Sequence, residues 1–219
     1  MPICGQCRMS QYDAAEAIRI GTAERFAHYH ASMTTGHTIA SIAPVFRAAE
    51  TADIAAIVAL VESAYRGDAS RVGWTTEADF LDGRRTGPDD VGACIARPLS
   101  RVLLAETVHA ERDIELLACA HVADENGAGY FGMFSVQPGL QNTGIGKAML
   151  AEAERIAREE WKLPIMRMTV IDIRAELIAW YERRGYRRTG ILKPFPYGDA
   201  RFGVPKRDDL RFEILEKPL

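Results

Sequence analysis

The chain has 219 residues, of which 47% are hydrophobic and 26% charged, and these fractions are typical of a globular protein with one substantial core. Its formal net charge of -3 provides no general attraction to nucleic acid or to an anionic membrane. No apolar run approaches the roughly 18 residues of a membrane-spanning helix, and the first residues lack the apolar segment of a secretory signal. We therefore expect a cytoplasmic protein with no nucleic-acid or membrane partner.

Residues 1–43 carry little pattern. Alanines and charges compatible with a helix precede a stretch rich in Ser, Thr and Gly, and Met33 is an alternative start. Cys4 and Cys7 form a CxxC pair, but no second ligand pair follows, so two ordinary thiols are the favoured interpretation. We expect residues 1–43 to be an N-terminal extension, partly helical or disordered, and residues 44–219 to form the main domain, with no metal site.

Regular elements are predicted from residue 44 onward. Residues 45–48 indicate a short strand, and Thr51 is a candidate cap for a helix that ends near Tyr65. A polar loop over residues 66–73 then leads into a predicted short helix that contains Phe80 and Leu81. Residues 89–99 favour neither helix nor strand.

Three strands joined by hairpins follow. Residues 101–106, 115–123 and 130–136 have strand patterns, with a charged turn at residues 109–113. His121 stands alone in an apolar strand, where a histidine is more often a satisfied core residue than a base or a ligand. Cys94 and Cys119 also have apolar neighbours and are predicted to lie in the core.

Residues 136–150, VQPGLQNTGIGKAML, connect the third of these strands to a helix. Pro138 ends the strand, while Gly139, Gly144 and Gly146 permit close approach and positive φ in the turn. Such a turn directs free backbone N–H groups to one point, where the first turn of the helix adds its positive dipole end. The stretch therefore predicts a phosphate or pyrophosphate site.

Two common phosphate-binding motifs do not fit this turn. Gly139 and Gly144 have the spacing of a Walker loop, but Ile145 and Gly146 follow where Lys and Ser or Thr are needed. A dinucleotide fingerprint requires a third small residue where Met149 stands. The pattern that remains is Gln141-x-x-Gly144-x-Gly146.

A second motif lies downstream. After a predicted strand at residues 165–170, residues 174–184 place Leu177, Ile178 and Tyr181 on one helical face, and Gly185 ends the helix. Residues 175–186 read AELIAWYERRGY. A stiff loop rich in Pro, aromatic and Arg residues follows at 194–203, before a last strand at 211–216.

Together the two motifs resemble the acyl-CoA-binding motif and the Gly-aromatic signature of the GNAT superfamily of N-acetyltransferases. The resemblance implies an α/β (α+β) fold in which a mixed, mostly antiparallel sheet is splayed at its central strand and flanked by helices. It implies acetyl-CoA as cosubstrate, no metal, and transfer of the acetyl group to a primary amine of a small molecule or peptide. The amine would attack directly within a ternary complex.

The resemblance also implies roles for two tyrosines. Tyr181 stands where the family carries the acid that protonates the leaving thiolate. Tyr130 occupies the position of a glutamate that serves as general base in some members, although a tyrosine with an ordinary pKa of about 10 is a poor base. The alternatives are a route through water to Glu115, Asp124 or Glu125, and an amine that arrives already neutral.

For acetyl-CoA binding the resemblance points to the end of the third strand, to the turn and to the start of the second motif. Arg174 stands where many members carry an Asn, and the alternatives are a contact with a CoA phosphate or a solvated side chain. The predicted cosubstrate-binding residues are Ser135, Val136, Gln141, Asn142, Thr143, Gly144, Ile145, Gly146, Lys147 and Arg174.

Two loops are expected to line the acceptor pocket, because in the family the segment after the first helix and the loop between the last two strands do so. The predicted acceptor-binding residues are Tyr65, Arg71, Trp74, Phe195, Tyr197 and Arg201. The structural alternative for the first loop is a packed tryptophan with solvated arginines. For the second loop it is a surface or dimer-contact loop, so a homodimer is one alternative. The sequence does not identify the acceptor.

Two other functions compete with catalysis. The first is a non-catalytic module of the same fold that senses acyl-CoA. The second is an interaction protein in which the glycine-containing turn is only a tight connection between strand and helix.

Overall fold

The computed structural model describes residues 44–108 and 114–219. The predicted extension at residues 1–43, with Cys4, Cys7 and Met33, lies outside the described residues, as does the predicted turn at 109–113. The described residues form a seven-stranded sheet in the order β1-β3-β4-β5-β6-β9-β7 and a small sheet of β2 and β8.

The strands and helices are numbered in chain order. The strands are β1 (Val45–Ala48), β2 (Leu81–Asp82), β3 (Ser100–Val108), β4 (Ile114–Glu125), β5 (Ala128–Val136), β6 (Ile165–Ile171), β7 (Arg187–Pro194), β8 (Val204–Pro205) and β9 (Arg211–Pro218). The helices are α1 (Ile54–Tyr65), α2 (Pro88–Ala96), α3 (Ile145–Arg155), which continues into a π-helical turn (Ile156–Glu160), and α4 (Ala175–Glu182).

The large sheet opens in its middle, between β5 and β6. These neighbours are parallel and pair only at Gly129 with Met166 and at Tyr130 with Arg167. On its other side β6 pairs with β9 along its whole length, from Ile165 to Ile171. Beyond Tyr130 the β5 edge that faces β6 is therefore left without a strand partner, and the predicted splayed sheet is confirmed.

Helices cover both faces of the sheet because alternate strand residues point to opposite sides. Leu103 and Ala105 of β3 face the cluster that contains Met149, Leu150 and Ile178, which come from α3 and α4. Val102 and Leu104 face the other cluster, which contains Ile57 and Val61 of α1. Burial of apolar surface at about 25 cal/mol per Å² stabilises both layers and fixes the direction of β5 between them.

The start of α1 differs from the prediction. A short 3₁₀ turn, Thr51–Asp53, precedes the helix, and Thr51 makes no cap. Instead Glu50 and Asp53 form a capping box in which the Glu50 backbone N–H donates to Asp53 Oδ2 at 2.8 Å. The helix ends at Tyr65, as predicted.

The predicted short helix with Phe80 and Leu81 is wrong. Leu81 instead begins β2, which pairs with Val204–Pro205, and the Phe80 carbonyl accepts the N–H of Lys206. Glu77, just before Phe80 and Leu81, is buried against Arg66. An interior ion pair has thus overridden the local helix pattern. The ambiguous residues 89–99 contain most of α2, whose first turn carries Pro88.

The described chain contains no helix with the length and hydropathy needed to cross a bilayer.

Candidate active site

The open edge of β5 is distorted by a β-bulge. Met133 and Phe134 together face one residue of β4, since the pairing passes from Cys119–Ser135 to His121–Gly132. Met133 has a positive φ of 47°, which is costly for a residue with a side chain. The hydroxyl of Tyr65, at the end of α1, donates to the Phe134 carbonyl. The bulge therefore turns backbone groups of β5 toward the opening in the sheet.

Residues 137–146, called here the glycine turn, connect β5 to α3. Its glycines serve different purposes. Gly144 has a φ of 96° and is the N-cap of α3, and Asn142 has a φ of 68°. Gly139 does not have a positive φ, and the space around it is open. A Cβ on Gly146 would lie 3.1 Å from the Phe134 ring, so Gly146 is needed for close approach of the helix to the bulge.

A cleft of about 330 Å³ lies between the end of β5, the glycine turn, α4 and the end of α1. Six of the predicted cosubstrate-binding residues line it, all from the end of β5, the glycine turn or the start of α3, together with two predicted acceptor residues, Tyr65 and Trp74. The lining residues are Tyr65, Trp74, Thr75, Phe134, Val136, Gln141, Asn142, Gly144, Gly146, Lys147, Leu177, Trp180 and Arg184. The turn, the bulge and the end of α1 thus border one cavity.

Three predicted cosubstrate-binding residues lie beside the cleft without lining it. Ser135 is buried and its hydroxyl faces the Met133 carbonyl at 3.4 Å. Thr143 is exposed and donates to the Leu140 carbonyl at 2.6 Å. The side chain of Ile145 packs against the core, so only its backbone is available to a ligand.

The Gln141 side chain links the glycine turn to the segment after α1. Its Oε1 accepts the backbone N–H of Trp74 at 2.9 Å, and its Nε2 donates to Thr75 Oγ1 at 3.0 Å. A Cβ on Gly73 would lie 2.6 Å from this amide. The pair of hydrogen bonds fixes the segment across one end of the cleft.

Four charged residues form an arginine cluster beneath this segment: Arg66, Arg85 and Arg174 around Glu77. Arg66 Nη1 and Arg174 Nη1 donate to the two Glu77 oxygens, and Arg85 Nε lies 3.7 Å from Glu77 Oε2. Side-chain exposure is 4% for Glu77, 7% for Arg66 and 10% for Arg174, but 33% for Arg85. The cluster is therefore an interior one with a single partly exposed member.

The charges of the cluster set the ionisation of its neighbours. Burial acts to raise the pKa of Glu77, but the charges of Arg174, Arg85 and Arg66 outweigh it and lower that pKa below its ordinary value. Glu77 is consequently an anion at neutral pH. Burial raises the pKa of the Tyr65 hydroxyl, although Arg174 and Arg85 oppose the shift from 5.5 and 5.3 Å above its ring.

Tyr181 lies on the buried face of α4 and does not line the cleft. Its ring packs edge-on against Trp180, which does, at 5.1 Å, and against Tyr186 at 5.8 Å. Burial raises its pKa well above the ordinary value, so the hydroxyl keeps its proton at neutral pH. None of the side-chain hydrogen bonds in the described part of the chain uses this hydroxyl.

Tyr130 is half-buried in the middle of β5, and its ring packs edge-on against His121 at 5.5 Å. His121 is a buried core residue, as predicted. Its Nε2 lies 2.8 Å from Ser100 Oγ, and burial, assisted by the charge of Arg97, lowers its pKa to about 4. His121 is therefore neutral at physiological pH.

The three carboxylates that were candidates for a base acting through water make other contacts. Glu115 accepts from Gln137 at 3.2 Å, and Asp124 accepts the Gly127 N–H in the β4–β5 hairpin. Glu125 pairs with Arg97 at 3.7 Å. In the described part of the chain no carboxylate lines the cleft.

The structure does not bring four predicted acceptor residues to the cleft. Arg71 is exposed and pairs with Asp79 at 2.7 Å. Phe195 is buried among Leu81, Ile171 and Leu210. The Tyr197 hydroxyl accepts the Leu210 N–H at 2.7 Å, and the Arg201 guanidinium binds Asp199. The loop after β7 is thus supported by its own apolar cluster, which the aromatic residues of the sequence did not distinguish from a pocket.

Arg174 is neither solvated nor directed into the cleft. Its guanidinium donates to Glu77 at 3.0 Å and to the Thr75 carbonyl at 2.6 Å, and it is nearly buried. The solvated alternative is wrong, and these contacts do not favour a CoA phosphate as its partner. Arg174 takes this position because its partner is Glu77, which lies 97 positions earlier in the chain.

Sequence reasoning missed two further features. Arg184, one turn beyond Trp180, lines the cleft with its guanidinium 3.4 Å from the Trp180 ring centroid, and its Nε is buried without a hydrogen-bond partner. The arginine cluster is the second, since Arg85 and Glu77 stand in segments with no motif. Only the unusual burial of Glu77 identifies them. The described residues hold no group of three or more His, Cys, Asp or Glu side chains suited to a metal ion.

Comparison with known proteins agrees with this architecture. Residues 104–188 match the family model for an acetyltransferase (GNAT) domain. This match covers β4, β5, the glycine turn, α3, β6 and α4, whereas the lining residues Tyr65, Trp74 and Thr75 precede it. No curated protein sequence matches the chain.

Solved structures share the fold at low identity. The ribosomal-protein-alanine N-acetyltransferase from Brucella melitensis has 21% identity and a TM-score of 0.58, over 80% of this chain and 99% of that one. The ribosomal-protein-S18-alanine N-acetyltransferase from Escherichia coli has 15% identity and a TM-score of 0.55, over 80% and 93%. A spermidine N-acetyltransferase variant from Vibrio cholerae has 14% identity and a TM-score of 0.53, over 80% and 94%.

Fold and cleft define a mixed α/β protein whose mostly antiparallel sheet opens beside the glycine turn. Residues 104–188 match the acetyltransferase (GNAT) domain, and the chain shares its fold with the solved acetyltransferases.

Proposed function

We propose that the protein is an N-acetyltransferase that moves an acetyl group from acetyl-CoA to a primary amine of a small molecule or peptide. One observation carries the proposal: the glycine turn, the β5 bulge and the end of α1 border a single cleft at the opening of the sheet. A tight strand-to-helix connection alone would not require this convergence. We assign the activity to residues 44–219.

The cleft supports acetyl-CoA as cosubstrate through backbone groups. The N–H groups around Gly144 and Gly146 stand at the N-terminus of α3, where the helix dipole favours a pyrophosphate. Lys147 and Arg184 add positive charge along the same wall. The unpaired edge of β5 beyond Tyr130 offers main-chain hydrogen bonds to an extended pantetheine arm, as an added strand would.

The chemistry needs a donor for the leaving group. The amine nitrogen attacks the thioester carbonyl carbon, a C–N bond forms, and the C–S bond breaks to release the CoA thiolate. Tyr181, whose hydroxyl is protonated at neutral pH, donates its proton to that sulfur, and the proton that the attacking nitrogen loses as the amide forms passes through solvent and restores the phenol. Backbone N–H groups at the β5 bulge polarise the carbonyl oxygen as it gains charge.

No strong base faces the cleft, so we propose that the neutral amine is the reactive form. Glu77 is held as an anion by the arginines, and a carboxylate with a lowered pKa is a poor base. Tyr130 is a phenol, and a phenol is protonated at neutral pH and cannot take a proton from the amine. The excess proton of the amine then passes to water before attack, and kcat/KM should rise with pH until the acceptor amine is fully deprotonated.

The test has two stages. Calorimetry with acetyl-CoA on the full chain should show saturable binding, and acetyl-CoA should raise the melting temperature by mass action. A panel of primary amines should then give acceptor-dependent release of CoA. Binding without release by any acceptor would favour a sensor, and the absence of binding would refute the proposal.

A further inference from the structure

We propose that the acceptor carries a carboxylate beside its amine and that Arg85 binds this carboxylate. The inference rests on the proposed function and specifies its substrate class. It starts from the charge balance of the arginine cluster. Three guanidinium groups surround Glu77, and Glu62 adds a second carboxylate beside Arg85. Three positive and two negative charges leave one positive charge without a counterion.

Buried charge of one sign is costly unless a partner of the opposite sign neutralises it. Arg66 and Arg174 are bound to Glu77, and Glu62 accepts the backbone N–H groups of Arg85 and Thr86 at 2.6 and 3.0 Å. Arg66 Nη2 is buried and lacks a hydrogen-bond partner within the described ranges. The protein groups around the cluster therefore leave its positive charge in excess.

Arg85 is the member through which an external anion can reach this charge. Its side chain is 33% exposed, and among the described residues its ion contact is the 3.7 Å approach to Glu77, which is longer than a hydrogen bond. Within residues 44–108 and 114–219 its guanidinium donates no hydrogen bond to a side chain. Its fork of N–H donors matches the two oxygens of a carboxylate.

The position of Arg85 connects the excess charge to the proposed reaction site. Its guanidinium carbon lies 5.3 Å from the ring centroid of Tyr65, and Tyr65 lines the cleft and bonds the carbonyl of the β5 bulge. Tyr130, the third residue of β5, is also among the groups whose charge raises the pKa of Arg85. A carboxylate bound here would place an attached amine toward the bulge.

The experiment compares acceptors that differ only in the charged group. α-Amino acids and the corresponding amino acid amides are offered to the full-length enzyme with acetyl-CoA. The amide has the more easily deprotonated amine, so a preference for the carboxylate would not arise from amine ionisation. We expect kcat/KM to be at least about 10-fold higher for the carboxylates, the scale of a hydrogen bond between charged groups.

Variants then locate the effect. Arg85→Gln should lower kcat/KM for the carboxylate acceptor by about 10- to 100-fold and leave the amide acceptor within about twofold. Arg85→Lys, which keeps the charge but not the fork, should lie between. Arg84→Gln, an exposed arginine outside the cluster, is the matched control and should behave as wild type. Melting temperatures show that each variant is folded.

The outcomes separate the two proposals. If wild type acetylates amides or unsubstituted amines as well as carboxylates, or if Arg85→Gln impairs both acceptor types equally, the carboxylate site is refuted while the acetyltransferase proposal stands. If acetyl-CoA does not bind, the proposed function fails and this inference fails with it. Selective loss of carboxylate acceptors in Arg85→Gln, with unchanged KM for acetyl-CoA, would establish the site.

Discussion

The glycine turn lines the cleft, whereas the arginine cluster contacts two lining residues, Tyr65 and Thr75, and the two regions are constructed in opposite ways. The turn is one continuous segment, residues 137–146, largely at the surface, and its contribution comes from backbone conformation at Gly144 and from space at Gly146. The cluster is assembled from four residues in separate parts of the chain, and it is buried. The Gln141 amide joins the two regions.

The difference shows two ways in which a protein can prepare for an anion. Backbone N–H groups at a helix start carry only partial charges, so a turn without a bound anion reduces stability little. Buried guanidinium groups carry full charges and need a permanent counterion, which Glu77 supplies to most of the cluster. Substitution in the turn should therefore affect ligand binding first, whereas substitution in the cluster should affect folding first.

The largest expected effect is the loss of stability on removing the central carboxylate charge. Glu77→Gln leaves three guanidinium groups without their counterion and should reduce the free energy of unfolding by about 3–5 kcal/mol. Urea denaturation measures this change. Asp79→Asn is the control, because Asp79 and its partner Arg71 are both exposed, and an exposed pair contributes little to stability.

The pH dependence of stability tests the same charge. The arginines lower the folded-state pKa of Glu77 below the ordinary value of 4.5, so its contribution is present above that pH and is lost as pH falls through the lower folded-state pKa. Glu77→Gln should therefore lose less stability than wild type below pH 4.5. Parallel acid profiles for the two proteins would show that Glu77 is not coupled to the arginines.

The second prediction concerns space in the glycine turn. In Gly146→Val the first added carbon would already lie 3.1 Å from Phe134, so the branched side chain must displace the bulge or the start of α3. Acetyl-CoA affinity should fall by about 100-fold or more, or about 2.7 kcal/mol. Gly139→Val is the control in the same turn, where nothing lies within 4 Å, and it should bind acetyl-CoA as wild type does by calorimetry.

The third prediction concerns the proposed acid. Tyr181→Phe keeps the ring between Trp180 and Tyr186 but removes the hydroxyl, so kcat should fall by about 100-fold while acetyl-CoA binding is retained. Its stability should change by less than about 1 kcal/mol. Tyr186→Phe is the opposite case. It removes a 2.9 Å hydrogen bond to Glu154 and should cost stability with kcat unchanged. Normal turnover in Tyr181→Phe would remove this residue from the mechanism.

What the sequence predicted correctly depended on short-range patterns. The strands β3 to β6, the glycine turn and α4 follow from alternation, helical spacing and Gly or Pro at fixed places. The same reasoning failed where distant charges decide the structure. A short helix was predicted after Glu77, and Arg174 was predicted to contact a CoA phosphate or to be solvated, because the contact between Glu77 and Arg174 joins positions far apart in the chain. The predicted roles in acetyl-CoA binding and catalysis stay predictions.

The aromatic loop after β7 shows a related limit. Phe195 lies in an apolar cluster with Leu210, and the exposed Tyr197 accepts the Leu210 N–H, so neither residue is at the cleft. Prolines and aromatics in a loop indicate a fixed surface, but a pocket wall and a small core require the same residue types. Only the pairing of β2 with β8, a contact between segments more than 100 residues apart, decides between them.

The smallest effect is expected at the amide that joins the two regions. Gln141→Leu removes the bonds to Trp74 N–H and Thr75 Oγ1, so the glycine turn loses its support from the segment that leads to Glu77. Acetyl-CoA affinity should weaken by about fivefold, the scale of one net hydrogen bond.

Gln137→Leu is the control for this last change, since Gln137 belongs to the same turn but bonds the Leu116 carbonyl at 2.7 Å, away from the cleft. Both variants lose a buried amide contact and should lose similar stability in urea denaturation. Only Gln141→Leu should also weaken acetyl-CoA binding and raise KM for the acceptor, because only the Gln141 amide connects the glycine turn to Trp74 and Thr75. Equal acetyl-CoA affinity in the two variants would mean that the glycine turn and the arginine cluster are energetically independent.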